Sequence, residues 1–287
     1  MIMIGNMATS DEQSGDDSYV ETYLEEERAF KDNFLDTLYE FANEEQTPIY
    51  EHRPICSRCS RPISVCWCDY LPKEPVDIKT NIYILQHPFE ESRKLKTAPM
   101  LLHSLPEGKC HIIRGKKFTD NRYPELMKVF QSTNTYLLYP APGALDITEL
   151  PPLDNGDQYN LIVIDGTWSQ AKGIYLGNNS LQELKKVQIM HSSKSKYIIR
   201  TQPTDSALST LECVAIALGI LEQKPDLHEF LSRPLEALCK FQMNHGAVVH
   251  HSKVYKIANG LWKKPLPKKI LRKLEKENLY EGKEECS

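Results

Sequence analysis

The stretch Leu161-Ile-Val-Ile-Asp165-Gly-Thr-Trp168-Ser-Gln170 decides the fold class. Four apolar residues of strand character run into an Asp-Gly turn, and Trp168 then opens an amphipathic segment. In open α/β sheets ligands sit outside the carboxyl ends of the strands. That rule would put Asp165 and Trp168, a carboxylate and a flat apolar ring, side by side at a crevice. The plainer reading of the same residues is a strand-end Asp that caps the next helix, beside a Trp packed in the core.

Outward from this stretch, Asn81–Gln86, Thr135–Tyr139 and Tyr159–Ile164 read as buried strands. Ser92–Ser104, despite Pro99, together with Ser206–Glu222 and Asp226–His245, read as helices. Alternating strands and helices predict an α/β fold with a mostly parallel sheet covered on both faces. No internal repeat is visible. Residues 1–18 are polar and acidic and are expected to be disordered, whereas Tyr23, Phe30, Phe34, Leu35, Leu38 and Phe41 predict a helix within 19–45. A cysteine-rich module at 50–75 ends in the Pro-rich Leu71–Pro75, the main domain follows over 76–250, and a basic extension occupies 251–287.

The 287 residues, 40% hydrophobic and 26% charged, suit one large core with small appended modules. No apolar run reaches the length of a membrane span, and Met1–Ser10 lacks the pattern of a secretory signal, so an intracellular place, cytoplasm or nucleus, is expected. The net charge of −4 hides an asymmetry. Residues 11–45 hold thirteen Asp/Glu against two Lys/Arg, a local −11, and residues 1–10 are uncharged, so the rest sums to +7. A basic body suits a polyanion such as nucleic acid, although scattered surface lysines give the same excess. The tail Lys263–Lys276 carries seven Lys/Arg and one Glu, with Leu266, Ile270, Leu271 and Leu274 at helical spacing, and predicts a basic amphipathic helix.

Cys56, Cys59, Cys66 and Cys68 form C-x2-C-x6-C-x-C, four thiols close enough to wrap one tetrahedral ion. Zinc fits best; two disulfides and an iron–sulfur cluster are the alternatives. Four protein ligands leave no open position, so such a zinc would hold the fold or present Arg58 and Arg61 to a partner, without catalysing.

Two further loops stand beside Asp165. Leu138-Tyr-Pro-Ala-Pro-Gly143 follows a strand with a turn whose backbone could approach a ligand, and Leu208-Ser-Thr-Leu-Glu212 opens an apolar helix whose first amides lack intrahelical acceptors. Each also has an ordinary reading, as a strand-to-loop turn and as a capping box. Gly-rich dinucleotide and triphosphate loops and the HExxH zinc-protease motif are absent from the sequence.

In order, the cysteine motif, Leu85-Gln-His-Pro88 with Thr97, Leu137-Leu-Tyr-Pro140, Asp165-Gly-Thr-Trp168 and Leu208-Ser-Thr-Leu-Glu212 resemble the DTW-domain tRNA-uridine aminocarboxypropyltransferases over residues 50–245. The chain looks most like their eukaryotic branch. The resemblance implies transfer of the 3-amino-3-carboxypropyl group of S-adenosylmethionine to the imino nitrogen of a tRNA uridine, in the D loop, with release of methylthioadenosine. It also implies a SPOUT-like sheet with a C-terminal trefoil knot, an exception to unknotted topology.

In that role Asp165 would be catalytic, either taking the imino proton or gripping the donor ammonium. Trp168 would face the adenine or sulfonium, with Thr167 beside it; Leu138, Tyr139, Pro140 and Gly143 would form a wall; Ser209, Thr210 and Leu211 would offer amides to the adenine. His87 would sit at the mouth or serve as a structural histidine. Lys94, Lys96, Arg114, Lys116, Lys117, Lys194, Lys196, Arg200 and the tail would meet tRNA phosphates. No membrane and no obligate protein partner are expected. A methyltransferase using the same donor, and a non-catalytic zinc-stabilised RNA-binding module, are the alternatives.

Overall fold

The computed structural model describes residues 53–265, except 152, 154, 155, 191–193, 203, 205, 206 and 264. The acidic leader, the helix expected within 19–45 and nearly all of the basic tail lie outside the described residues.

In chain order the elements are β1 (Asn81–Gln86), α1 (Pro88–Glu91), α2 (Ala98–Ser104), β2 (Cys110–Arg114), α3 (Pro124–Gln131), β3 (Thr135–Leu138), β4 (Leu145–Asp146), β5 (Asn160–Asp165), α4 (Trp168–Leu176), α5 (Asn179–Glu183), β6 (Lys185–Gln188), α6 (Thr210–Leu221), α7 (Leu227–Asn244) and α8 (Lys253–Ala258). Six strands form one sheet in the order β2-β1-β5-β3-β6-β4, and every pairing is parallel. The predicted parallel α/β architecture is therefore present.

The apolar runs work on both faces. Ile82, Ile84, Leu161 and Val163 join α6, α7 and α2 in one core, while Leu85, Leu137 and Ile162 join Leu126, Ile174 and Leu181 from α3, α4 and α5 in the other. Side chains alternate between faces along a strand, so a strand covered twice must be apolar at nearly every position. The start of β1 is pinned from a distance. Glu222, at the carboxyl end of α6, accepts from the amides of Lys79 (3.0 Å) and Thr80 (2.8 Å) and from the Thr80 hydroxyl (2.6 Å).

Two expected boundaries move. The helix predicted over Ser92–Ser104 begins only at Ala98, because Pro99 lies in its first turn, where a missing amide costs nothing, and Ser92–Thr97 form a turn instead. The helix predicted from Ser206 begins at Thr210, after a capping box in which Ser209 and Glu212 each accept from the other's backbone amide.

Candidate functional site

The four cysteines of the N-terminal motif converge. Cys56 Sγ lies 3.8 Å from Cys68 Sγ, Cys59 Sγ lies 3.6 Å from Cys66 Sγ, and all four sulfurs fall within 4.8 Å of one another. A zinc ion bound at about 2.3 Å to four tetrahedral thiolates sets sulfur–sulfur edges of about 3.8 Å, whereas a disulfide needs about 2.05 Å. The cysteines are unbridged, so the geometry fits one ion and not two disulfides. Backbone amides of Cys59 and Arg58 hold the Cys56 thiol down to about 6, while burial pushes those of Cys66 and Cys68 up. The knuckle is docked on the main core: Trp67 is buried beside His103, and Arg58 donates to the His103 carbonyl (3.0 Å).

Asp165 ends β5 and is buried, opposite Gln86 in the β1 register. Its two carboxylate oxygens are divided. Gln86 Nε2 donates to Oδ2 (2.9 Å) and the Thr210 hydroxyl donates to Oδ1 (2.6 Å), while the Asp165 carbonyl accepts from the His87 amide (2.9 Å). Among the described residues no lysine or arginine forms an ion pair with it. The helix after it is capped by Thr167 and not by Asp165: Thr167 and Gln170 form a complete capping box. Gly166 is small for reasons of space, since a Cβ there would lie 3.1 Å from Gln170 Cβ and 3.4 Å from His87 Cβ.

Beside Asp165, outside the carboxyl ends of β5, β3 and β6, lies a mostly apolar cavity of about 390 Å³, within the range of small-molecule sites. Leu138, Tyr139, Pro140, Gly166, Trp168 and Thr210 line it, joined by Cys213, whose thiol burial pushes up to about 12 and so keeps neutral; Asp165 stands behind this lining, next to Gly166 and bonded to Thr210. Tyr139 is stacked on Tyr175 at 4.5 Å. Trp168 is 53% exposed and thus free to cover a ligand, not packed in a core. The side chains of the other candidates do not line the cavity. The Ser209 hydroxyl and amide are both taken by Glu212, Leu211 points into the core, Thr167 caps α4, and Gly143 makes an exposed turn at φ 78°. The amides of Thr210 and Leu211, in the first turn of α6, have no intrahelical acceptor and remain suited to a ligand edge.

Several residues around the site have contacts that the sequence did not specify. Gln86 is a plain polar residue at the end of an apolar run, and only parallel register brings it to Asp165. Glu212 is buried and ties α6 to the 195–197 segment, accepting from the Ser195 hydroxyl (2.8 Å) and the Lys196 amide (2.6 Å). Glu90 is nine-tenths buried; Arg93 Nε stands 3.0 Å from its Oε1 but off the hydrogen-bond axis, and burial raises its carboxyl. His87 is buried, and burial together with the Lys116 charge lowers its imidazole; its Nδ1 accepts from the Phe89 amide (3.2 Å). Of the expected phosphate contacts, Lys94, Lys116, Lys117 and Lys194 are exposed, while Arg114 pairs with Glu91 (2.5 Å) and Lys196 with Glu236.

A parallel α/β sheet with a ligand-sized crevice at its carboxyl edge and a four-cysteine knuckle docked behind it defines the class. Residues 53–243 match the DTW domain family, and the chain belongs to it. It is 47% identical over 227 residues, 78% of this chain and 76% of the relative, to a Macaca fascicularis protein named tRNA-uridine aminocarboxypropyltransferase 2. The Drosophila melanogaster protein of that name is 44% identical over 76% of this chain and 87% of its own. An Arabidopsis thaliana protein named tRNA-uridine aminocarboxypropyltransferase A is 28% identical over 70% of this chain and 86% of its own. No solved structure matches the chain.

Proposed function

We propose that this chain is a tRNA-uridine aminocarboxypropyltransferase that uses S-adenosylmethionine as donor. The observation that carries the reading is Asp165, a buried carboxylate held by two neutral donors and without a basic partner among the described residues, at the edge of a cavity sized for the donor, in a chain of this family. A buried charge without a counter-ion is costly, so the site favours a cationic ligand. The donor is cationic at its ammonium and its sulfonium. Asp165 therefore grips the amino acid end and aims the γ-carbon at the acceptor, and Trp168 covers the adenine or sulfonium. The imino nitrogen of the uridine attacks the γ-carbon, the carbon–sulfur bond breaks with its electron pair going to sulfur, neutral methylthioadenosine leaves, and the imino proton passes to water at the crevice mouth.

The exposed Lys94, Lys116, Lys117 and Lys194 and the basic extension 251–287 serve the tRNA, with a D-loop uridine as the target. The knuckle holds zinc for stability. We assign the domain of 76–250 to the SPOUT-like knotted class; a strand order in which β5 enters between β1 and β3 supports that assignment. An intracellular site, cytoplasm or nucleus, fits a tRNA substrate, and among the described residues no helix is long and apolar enough to cross a membrane.

The test is incubation of the purified protein with S-adenosylmethionine and unmodified tRNA, followed by nucleoside mass spectrometry. Aminocarboxypropyluridine with an equal amount of methylthioadenosine is expected. Methylated nucleosides with S-adenosylhomocysteine would replace this reading with a methyltransferase.

A further inference from the structure

Asp165 stands between two unlike surroundings. On the β3 and β6 side lies the apolar cavity, walled by Leu138, Tyr139, Gln188 and Ile189; on the other side, β1 ends at Gln86 and leads into His87 and Phe89. With the donor in the cavity, the β1 side of Asp165 is available to the acceptor.

Phe89 occupies that side. It is 64% exposed, and exposure alone would carry nothing, since single apolar side chains are common on surfaces. Three relations set Phe89 apart. Its ring packs edge-on against His87 at 5.1 Å, and its amide donates to His87 Nδ1, so the ring is anchored to the residue whose amide bonds the Asp165 carbonyl. Lys116 Nζ stands 5.2 Å from the ring centre. Lys116 and Lys117 are both exposed just past the end of β2, where a phosphate beside a stacked base would meet them. An anchored, exposed aromatic ring with a lysine ammonium over it is an arrangement by which proteins hold an unpaired nucleotide.

We propose, on the reading of the site given above, that Phe89 is the platform on which the target pyrimidine stacks, positioning its imino nitrogen toward the donor beside Asp165. Phe89 is then a positioning residue for the acceptor and makes no contact with the donor.

Steady-state transfer to a tRNA transcript, measured at varied tRNA and at varied S-adenosylmethionine, tests this with wild type, Phe89→Ala, Phe89→Leu and Phe89→Tyr. Loss of a stacked base costs roughly 5- to 150-fold. Phe89→Ala should therefore raise KM for tRNA, or lower kcat/KM for it, by that factor, with the calorimetric Kd for S-adenosylmethionine unchanged. Phe89→Tyr should restore most of the loss and Phe89→Leu, apolar but without a π-face, should not. An active wild type with Phe89→Ala equally active, or with Leu rescuing as well as Tyr, overturns the stacking role alone. A folded wild type that forms no aminocarboxypropyluridine overturns the underlying reading and the stacking role with it.

Discussion

Gln86 Nε2 donates to Asp165 Oδ2 at 2.9 Å between two residues that are register partners at the carboxyl ends of β1 and β5. The parallel pairing of two apolar strands thus aims a neutral donor at the buried carboxylate and fixes its plane. Removing a donor from a buried charged acceptor costs about 1–3 kcal/mol, so Gln86→Ala should lower kcat/KM roughly 5- to 150-fold. Gln86→Glu, which sets a second negative charge beside the first, should be worse than Gln86→Ala. Steady-state kinetics with a thermal melt as control decides; equal activity in both variants would mean that Gln86 does not orient Asp165.

Thr210 holds the other oxygen from the first turn of α6. Thr210→Val keeps the shape and removes the hydroxyl. Donor affinity, read by calorimetry, should weaken about five- to tenfold, in line with about 1 kcal/mol for a hydrogen bond. Thr210→Ser should retain most of it.

The knuckle predicts one zinc per chain. Because Trp67 and Leu71 of the knuckle belong to the main core, metal loss should be felt as lost stability. Cys59→Ala should lower the melting temperature, and a strong chelator should do the same to wild type, while the folded fraction still binds S-adenosylmethionine. Elemental analysis finding no metal in folded protein would contradict this.

His87 gives a pH test. Burial and Lys116 depress its imidazole below the ordinary 6.5, so the folded protein disfavours the protonated form. The stability tied to neutral His87 is present above 6.5 and is lost as pH falls from there through the depressed folded value. Protonation at Nδ1 would also break the bond from the Phe89 amide. His87→Asn retains an acceptor for that amide and does not titrate, so its unfolding free energy should fall less than that of wild type between pH 7 and more acidic buffer, measured by denaturant melts.

The sheet was legible where both faces are covered. Asn81–Gln86 is an unbroken near-apolar run and β5 nearly so, hence their strands could be read within a residue. β6, Lys185-Lys186-Val-Gln, has only Val187 fully buried, and β4 is two residues long, so neither leaves a periodic trace. Asp165 and Trp168 could be placed because a strand ended at them. Gln86 could not, since its partner lies 79 positions away and register is a tertiary property. Ser209, Thr210 and Leu211 were read as offering amides to a ligand from their place at a helix start; the Ser209 amide goes to Glu212, a contact that depends on the side chain three residues on.

On the function proposed above, the crevice at Asp165 binds a cationic donor and transfers its aminocarboxypropyl group to tRNA. The most direct measurement is single-turnover release of methylthioadenosine on unmodified tRNA by wild type and by Asp165→Asn, with the Kd of each for S-adenosylmethionine. Wild type should release methylthioadenosine in step with aminocarboxypropyluridine. Asp165→Asn, folded and still binding tRNA, should lose turnover and bind the donor roughly 10- to 150-fold more weakly, as befits loss of a charged hydrogen bond. Lost turnover with unchanged donor affinity would make Asp165 the proton acceptor instead of the donor's grip. Near-normal turnover in Asp165→Asn would contradict the account outright.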